Sequence, residues 1–180
     1  GASPIPQLVS LKWWILGPLI ALIGGLFGIV GAASHEMSYG WYIGPLVAAP
    51  VFEEIMKPCG VYFLLAKKPE ALFSRRYTAF LAALSGLAFA LIENVMYINV
   101  YIEDPPQGLV IWRYTVCILL HVTCSCLVGL GINQRLAAWV RRRDRFMGGN
   151  AKFFFSAMAI HSSYNAIAIF VIEDRLHWFS

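Results

Sequence analysis

The chain has 180 residues, of which 59% are hydrophobic and only 13% charged. A soluble domain carries about 25% charged residues, so the composition excludes an ordinary soluble protein and points to a membrane. The net charge of +4 is no sign of nucleic acid, because the basic residues sit between apolar runs, where membrane topology accounts for them.

A spanning helix needs ~20 mostly apolar residues. Runs at about 13–33, 42–66, 77–102, 109–132 and 153–172 meet that length. The expected fold is therefore all-α: a single polytopic transmembrane helical bundle of about five spans, with its chemistry in residues 42–172. The opening Gly1-Ala2-Ser3 reads as a cloning scar. No cleavable signal peptide is expected, since the first apolar run is long enough to span.

The connections divide by charge. Lys12 precedes the first run. Lys67, Lys68, Arg75 and Arg76 follow the second, and Arg135, Arg141, Arg142, Arg143, Arg145 and Lys152 follow the fourth. The alternate connections hold His35 and Glu36, then Glu103 and Asp104, with no Lys or Arg. Basic residues gather on the cytoplasmic side, so the N-terminus is expected inside and the C-terminus outside. Trp13, Trp14, Trp41, Tyr42, Tyr77, Trp139 and Trp178 suit the head-group level. His35 and His177 read as surface residues.

Small residues recur at Gly24, Gly28 and Gly31 and at Ala82, Gly86 and Ala90, spacing that suits close helix packing. Residues 133–150 place Leu136, Trp139, Val140 and Phe146 among arginines, which suits a short interfacial helix. Arg141-Arg142-Arg143 is placed to touch anionic lipid head groups. Cys59, Cys117, Cys124 and Cys126 lack zinc-ribbon spacing and read as buried free thiols.

The informative residues are the ionisable ones inside the runs. Such groups are costly in a bilayer and often mark function. They are Glu53, Glu54 and Lys57 in the second run, Glu93 followed by Asn94 in the third, His121 in the fourth, and His161 with Asn165 in the fifth. Counted from the outer ends of their spans at 1.5 Å per residue, Glu53, Glu93, His121 and His161 fall within roughly 5 Å of one depth, as one shared site would require. Glu53 and Lys57 share a helix face, as do His161 and Asn165. Glu54 lies about 100° round from Glu53, so one glutamate is expected to face the site while the other supports it. Pro50 and Pro58 flank the pair and loosen the helix there. Arg113, near the outer end of the fourth run, reads as an interfacial anchor.

Glutamate with histidine suits water activation. A carboxylate in apolar surroundings is a strengthened base, and imidazole or asparagine can donate to a developing oxyanion. A metal held by carboxylates and imidazoles does both tasks differently. The His-Glu-x-x-His helix of common zinc proteases is not in the sequence, so both routes stay open.

The residue order Glu53-Glu54-Ile55-Met56-Lys57, then Phe89 to Glu93-Asn94, then His121, then His161-Ser162-Ser163-Tyr164-Asn165, resembles the PrsW family of intramembrane proteases. That family is a branch of the superfamily that includes the CAAX prenyl-protein endopeptidases. The resemblance implies an intramembrane peptidase cleaving a membrane-anchored protein, with site-one cleavage of an anti-sigma factor, and hence signalling, as the branch's role. It implies a multi-pass protein of a prokaryotic cell membrane. It implies Glu53 as the leading base with Glu54 in support, His161 and Asn165 as an oxyanion hole, and His121 and Glu93 as further site residues, with Lys57 and Asn94 supporting. Were a metal used, Zn2+ or another divalent ion would fall to Glu53, Glu93, His121 and His161. Glu93 stands where the CAAX branch has histidine, and Lys57 replaces an arginine set one residue further on; both departures argue against prenyl-protein processing. The expected partners are the protein substrate and the bilayer. A non-catalytic multi-pass scaffold is the rival class, but a scaffold has no need of three carboxylates in lipid. A proton-coupled transporter is a third, and the chain shows no internal repeat to support it.

Overall fold

The computed structural model describes residues 11–36, 39 and 43–173, and every regular element among them is helical. Trp41, Tyr42, His177 and Trp178 lie outside the described residues. α1 is Leu11–Glu36. A π-helical turn, Gly44–Ala48, runs into α2, Ala49–Met56, and α3 is Cys59–Lys67. α4, Arg75–Met96, opens on Ser74, whose hydroxyl accepts from the Tyr77 amide at 3.1 Å, and ends in a π turn at Tyr97–Tyr101. α5 (Gln107–Trp112), a π turn (Arg113–Cys117) and α6 (Ile118–Gly131) form one continuous rod. α8, Ala151–Ile167, runs on into a last π turn, Ala168–Glu173.

Among the described residues, four helices are long and apolar enough to cross a membrane: Leu11–Ala32, Arg75–Tyr101, Gln107–Gly131 and Ala151–Phe170. They fall on the expected first, third, fourth and fifth runs. The second run differs, because it is not one helix. Pro58 has no N–H for the Glu54 carbonyl and its ring crowds that turn. The chain therefore breaks at Lys57–Pro58 and restarts with the Val61 and Tyr62 amides on the Pro58 carbonyl, at 2.9 and 3.0 Å. The Lys57 carbonyl, released by the break, accepts from the Ser85 hydroxyl at 2.5 Å. Irregular backbone at membrane depth persists only where the protein supplies such partners.

The connection after α6 holds the expected short helix, α7 (Gln134–Val140), with the Asn133 side chain accepting from the Arg135 and Leu136 amides. Arg135 of α7 donates to Asp144 at 3.1 Å and holds that half-buried carboxyl below the ordinary aspartate range.

α4 is the centre of the bundle and packs most extensively on α6 and α1. The main apolar core includes Val61, Leu64, Leu81, Cys124, Val128 and Phe154, and a smaller one joins Ile29, Ala32 and Phe89. Buried Glu53, Lys57, Ser85, His121, Ser125 and His161 form a polar layer between them by helix position. Ile15, Leu19, Ile23, Phe27 and Val30 of α1 face outward, a stripe suited to lipid. All four cysteines are free thiols.

Glycine sets how near α1 comes to the break. A Cβ on Gly28 would stand 2.8 Å from the Met56 carbonyl oxygen and 3.1 Å from Lys57 Cα. Those are backbone atoms and cannot swing aside. Gly28→Val is expected to lower stability by about 1–3 kcal/mol, the usual penalty for overpacking, as a shift in the denaturation midpoint of the detergent-solubilised protein. An unchanged midpoint would mean that α1 is not pressed against the broken segment.

Candidate active site

The site is built outward from α2. Glu53 and Glu54 occupy adjacent positions on its last turn, and Lys57 follows one turn later. The Lys57 ammonium lies 2.7 Å from Glu54 Oε1 and 3.0 Å from Glu53 Oε2. Only the Glu54 contact has hydrogen-bond geometry. The ammonium also sits over the Phe89 ring, 4.8 Å from its centroid. Lys57 and Glu54 are both 0% exposed. Charges so far from water persist only when paired and hydrogen-bonded.

α8 and α6 each add one imidazole. His161 Nδ1 lies 2.8 Å from Glu54 Oε1, and since a carboxylate only accepts, Nδ1 carries the proton. The other nitrogen, Nε2, is left as an acceptor 3.8 Å from Glu53 Oε2. His121 is arranged the opposite way round. Its Nε2 lies 3.0 Å from Glu93 Oε2, and its Nδ1 is 3.7 Å from Glu53 Oε2. The two rings stand 5.1 Å apart and nearly perpendicular, at 88°.

Three acceptor atoms from three helices therefore converge. Glu53, His121 and His161 each offer a ligand atom within 4.8 Å of the others, and all three residues are buried. Glu53 Oε2 and His121 Nδ1 are buried without a hydrogen-bond partner, which is unusual in a folded protein. A tetrahedral zinc centre with bonds near 2.1 Å would hold its ligands about 3.4 Å apart; the imidazole nitrogens stand 3.7 and 3.8 Å from Glu53 Oε2, so the donor set suits a divalent metal and would draw inward to hold one. Each imidazole is backed by a carboxylate, the usual second layer of such centres. The charge agrees too: Glu53, Glu54 and Glu93 face two cations, Lys57 and Arg113, leaving one negative charge over.

Of the sequence-expected site residues, the structure brings together Glu53, Glu54, Lys57, Glu93, His121 and His161. Glu93 is not in the three-atom cluster; it backs His121. Asn165 donates instead to the Pro45 carbonyl at 2.7 Å, tying α8 to the π turn that leads into α2. Asn94 donates to the Arg113 carbonyl at 2.8 Å. Arg113, expected as an interfacial anchor, instead donates through Nη2 to Glu93 Oε2 at 2.9 Å and through Nε to Asn94 Oδ1 at 3.0 Å. The one available signal for it was the excess of carboxylates over Lys57. Ser85, which holds the break, carried no signal.

Glu53 and Glu93 also line a partly open cleft of about 50 Å³ whose other walls include Ile29, Ala32, Phe89 and Met96. Glu54 does not line it.

Lys57→Met would leave two buried carboxylates facing no ammonium. Removing one partner of a buried ion pair costs about 3–5 kcal/mol, so equilibrium unfolding should show a loss of that order. Adding Glu54→Gln to Lys57→Met should recover part of it. Strictly additive losses would mean that the two side chains do not interact.

The family model described as "PrsW family intramembrane metalloprotease" matches residues 6–178. Comparison with curated proteins and with solved structures gave no match. The matched stretch takes in α1 to α8 and every residue of the cluster, and on that coverage the chain belongs to the PrsW family of intramembrane metalloproteases.

Proposed function

We propose that this peptidase cleaves a membrane-anchored protein at the point where Glu53, His121 and His161 converge, with a divalent metal, zinc by its donor set, held by those three side chains. The observation behind the proposal is the orientation of the imidazoles. His161 gives Nδ1–H to Glu54, and His121 turns Nε2 toward Glu93 Oε2 at 3.0 Å, so the remaining nitrogen of each ring faces Glu53 Oε2, at 3.8 and 3.7 Å. Lone pairs suit ligation; an oxyanion needs N–H donors. A metal bound there supplies Lewis acidity for the scissile carbonyl and for water.

The chain's own residues divide the rest. Glu54 and Glu93 hold the ring tautomers, and Lys57 holds Glu54. Proton transfer to and from water falls to Glu93, the cleft-wall carboxylate that is not a ligand, because Glu54 is sealed behind His161. Asn165 keeps the entry to α2 in place. A second reading, in which Glu53 alone activates water, draws on the Lys57 ammonium 3.0 Å from Glu53 Oε2, since that oxygen already faces a cation.

The alternation of basic connections supports five crossings, with the broken α2–α3 segment as the second, the N-terminus cytoplasmic and the C-terminus outside. Family membership supports a site-one cut in an anti-sigma factor, within a signalling step at a prokaryotic cell membrane.

The test is cleavage of a single-span substrate in reconstituted vesicles, with metal content measured on the same preparations. Glu53→Gln, His121→Ala and His161→Ala should each lower turnover by about 10²-fold or more and lose the bound metal while remaining folded. A chelator should stop the wild type and zinc should restore it. Full activity in chelator would favour the glutamate-only reading, and equal cleavage by all four proteins would remove the active site from this cluster.

A further inference from the structure

We propose that Arg113 is a positioning residue of the active site, setting the imidazole of His121 through Glu93. The inference rests on the site proposed above and extends it to a residue outside the recognised motifs. Arg113 and His121 both meet the same oxygen, Glu93 Oε2, at 2.9 and 3.0 Å. Among the described residues that oxygen is the contact that the arginine and the ring share, so the guanidinium fixes where the carboxylate sits and the carboxylate gives His121 Nε2 a charge to face.

Arg113 is itself fixed from four directions. Nη2 is on Glu93 and Nε on Asn94 Oδ1. The Asn94 amide returns a hydrogen bond to the Arg113 carbonyl. The guanidinium lies 3.7 Å from the centroid of the Tyr97 ring. A planar fork with several donors suits this task, whereas lysine would be a single point charge. The side chain is 12% exposed, so these contacts are not screened as surface pairs are.

The backbone is shaped to the same end. Eight residues apart, Arg113 and His121 would lie about 80° apart around a regular α-helix. The π turn at Arg113–Cys117 adds roughly one residue to the turn, which removes about 100° of rotation. Arg113 and His121 are thereby brought close to one face, where both reach Glu93.

The test uses the full chain in detergent and two measurements. First, zinc affinity of the metal-stripped protein is measured for wild type, Arg113→Met, Glu93→Gln and the double variant. Arg113→Met is expected to weaken zinc binding about 10- to 100-fold, the usual effect of losing an outer-layer partner. In the Glu93→Gln background the same change should add little. Second, ¹⁵N NMR of the metal-stripped protein should show His121 as the Nε2–H tautomer in wild type and as a mixture in Arg113→Met. The NMR arm stands whether or not the site takes zinc, so a wild type that binds no zinc would count against the proposed metal centre alone. Zinc binding unchanged by Arg113→Met, an equal loss in both backgrounds, or an unaltered His121 tautomer would each overturn the role of Arg113. If Arg113→Met fails to fold, Arg113→Lys takes its place: it keeps the charge and loses the fork, and unchanged zinc affinity with an unaltered His121 tautomer in that variant would overturn the role of Arg113.

Discussion

The imidazoles face two carboxylates, Glu54 fully buried and Glu93 at the cleft wall, and each carboxylate is paired with a cation. An imidazole alone can flip its ring and move its proton. Backed by a carboxylate, it has one tautomer and one plane. A carboxylate in low dielectric needs a cation in turn, because the desolvation of each ion is several kcal/mol and only close pairing offsets it. The site accordingly consists of two arms, Lys57–Glu54–His161 and Arg113–Glu93–His121, that close on Glu53. Of the outer members, Arg113 stands one residue removed from Glu53, His121 and His161, whereas Lys57 also lies 3.0 Å from Glu53 Oε2.

The arms need backbone that a regular helix does not provide, and such backbone needs partners in lipid. Three side chains supply them from neighbouring helices. Ser85 donates to the Lys57 carbonyl at the break, Asn165 to the Pro45 carbonyl in the π turn before α2, and Asn94 to the Arg113 carbonyl in the π turn before α6. The asparagines that close two of the sequence motifs thus act here on main chain. Each sits beside an ionisable site residue because each stabilises the irregular turn that aims such a residue.

This division explains what could be read from sequence. Apolar length located the long helices to within a few residues, and charge in the connections separated them, since both properties are local. Common depth brought Glu53, Glu93, His121 and His161 together, because helical rise converts residue count into height. Rotation was harder. The offset between Glu53 and Glu54 was legible on a regular turn, and the two side chains do part, Glu53 to the cleft and Glu54 to His161. Arg113 was assigned to the interface because no sequence signal marks the π turn that swings it inward. Asn165 shares a face with His161, which suggested a common task, but its actual partner, the Pro45 carbonyl, belongs to a bend that Pro45 and Pro50 only hint at.

The cleft sets a further constraint on catalysis. A volume of about 50 Å³ exceeds the roughly 10–15 Å³ that one water needs on the same measure, so water can reach Glu53 and Glu93. A spanning substrate keeps its carbonyls bonded within its own helix until it unwinds. Productive binding therefore requires that the substrate open locally. The C-terminal half of α1 meets the site by close packing: Gly28 comes up against the Met56 carbonyl and Lys57 Cα, and Ile29 and Ala32 at the cleft pack on Phe89. α4 and the rod that contains α6 are joined by Arg113, which meets Glu93 and Asn94, and by His121 against Glu93. An opening that admits substrate and keeps the site has to leave that joint in place.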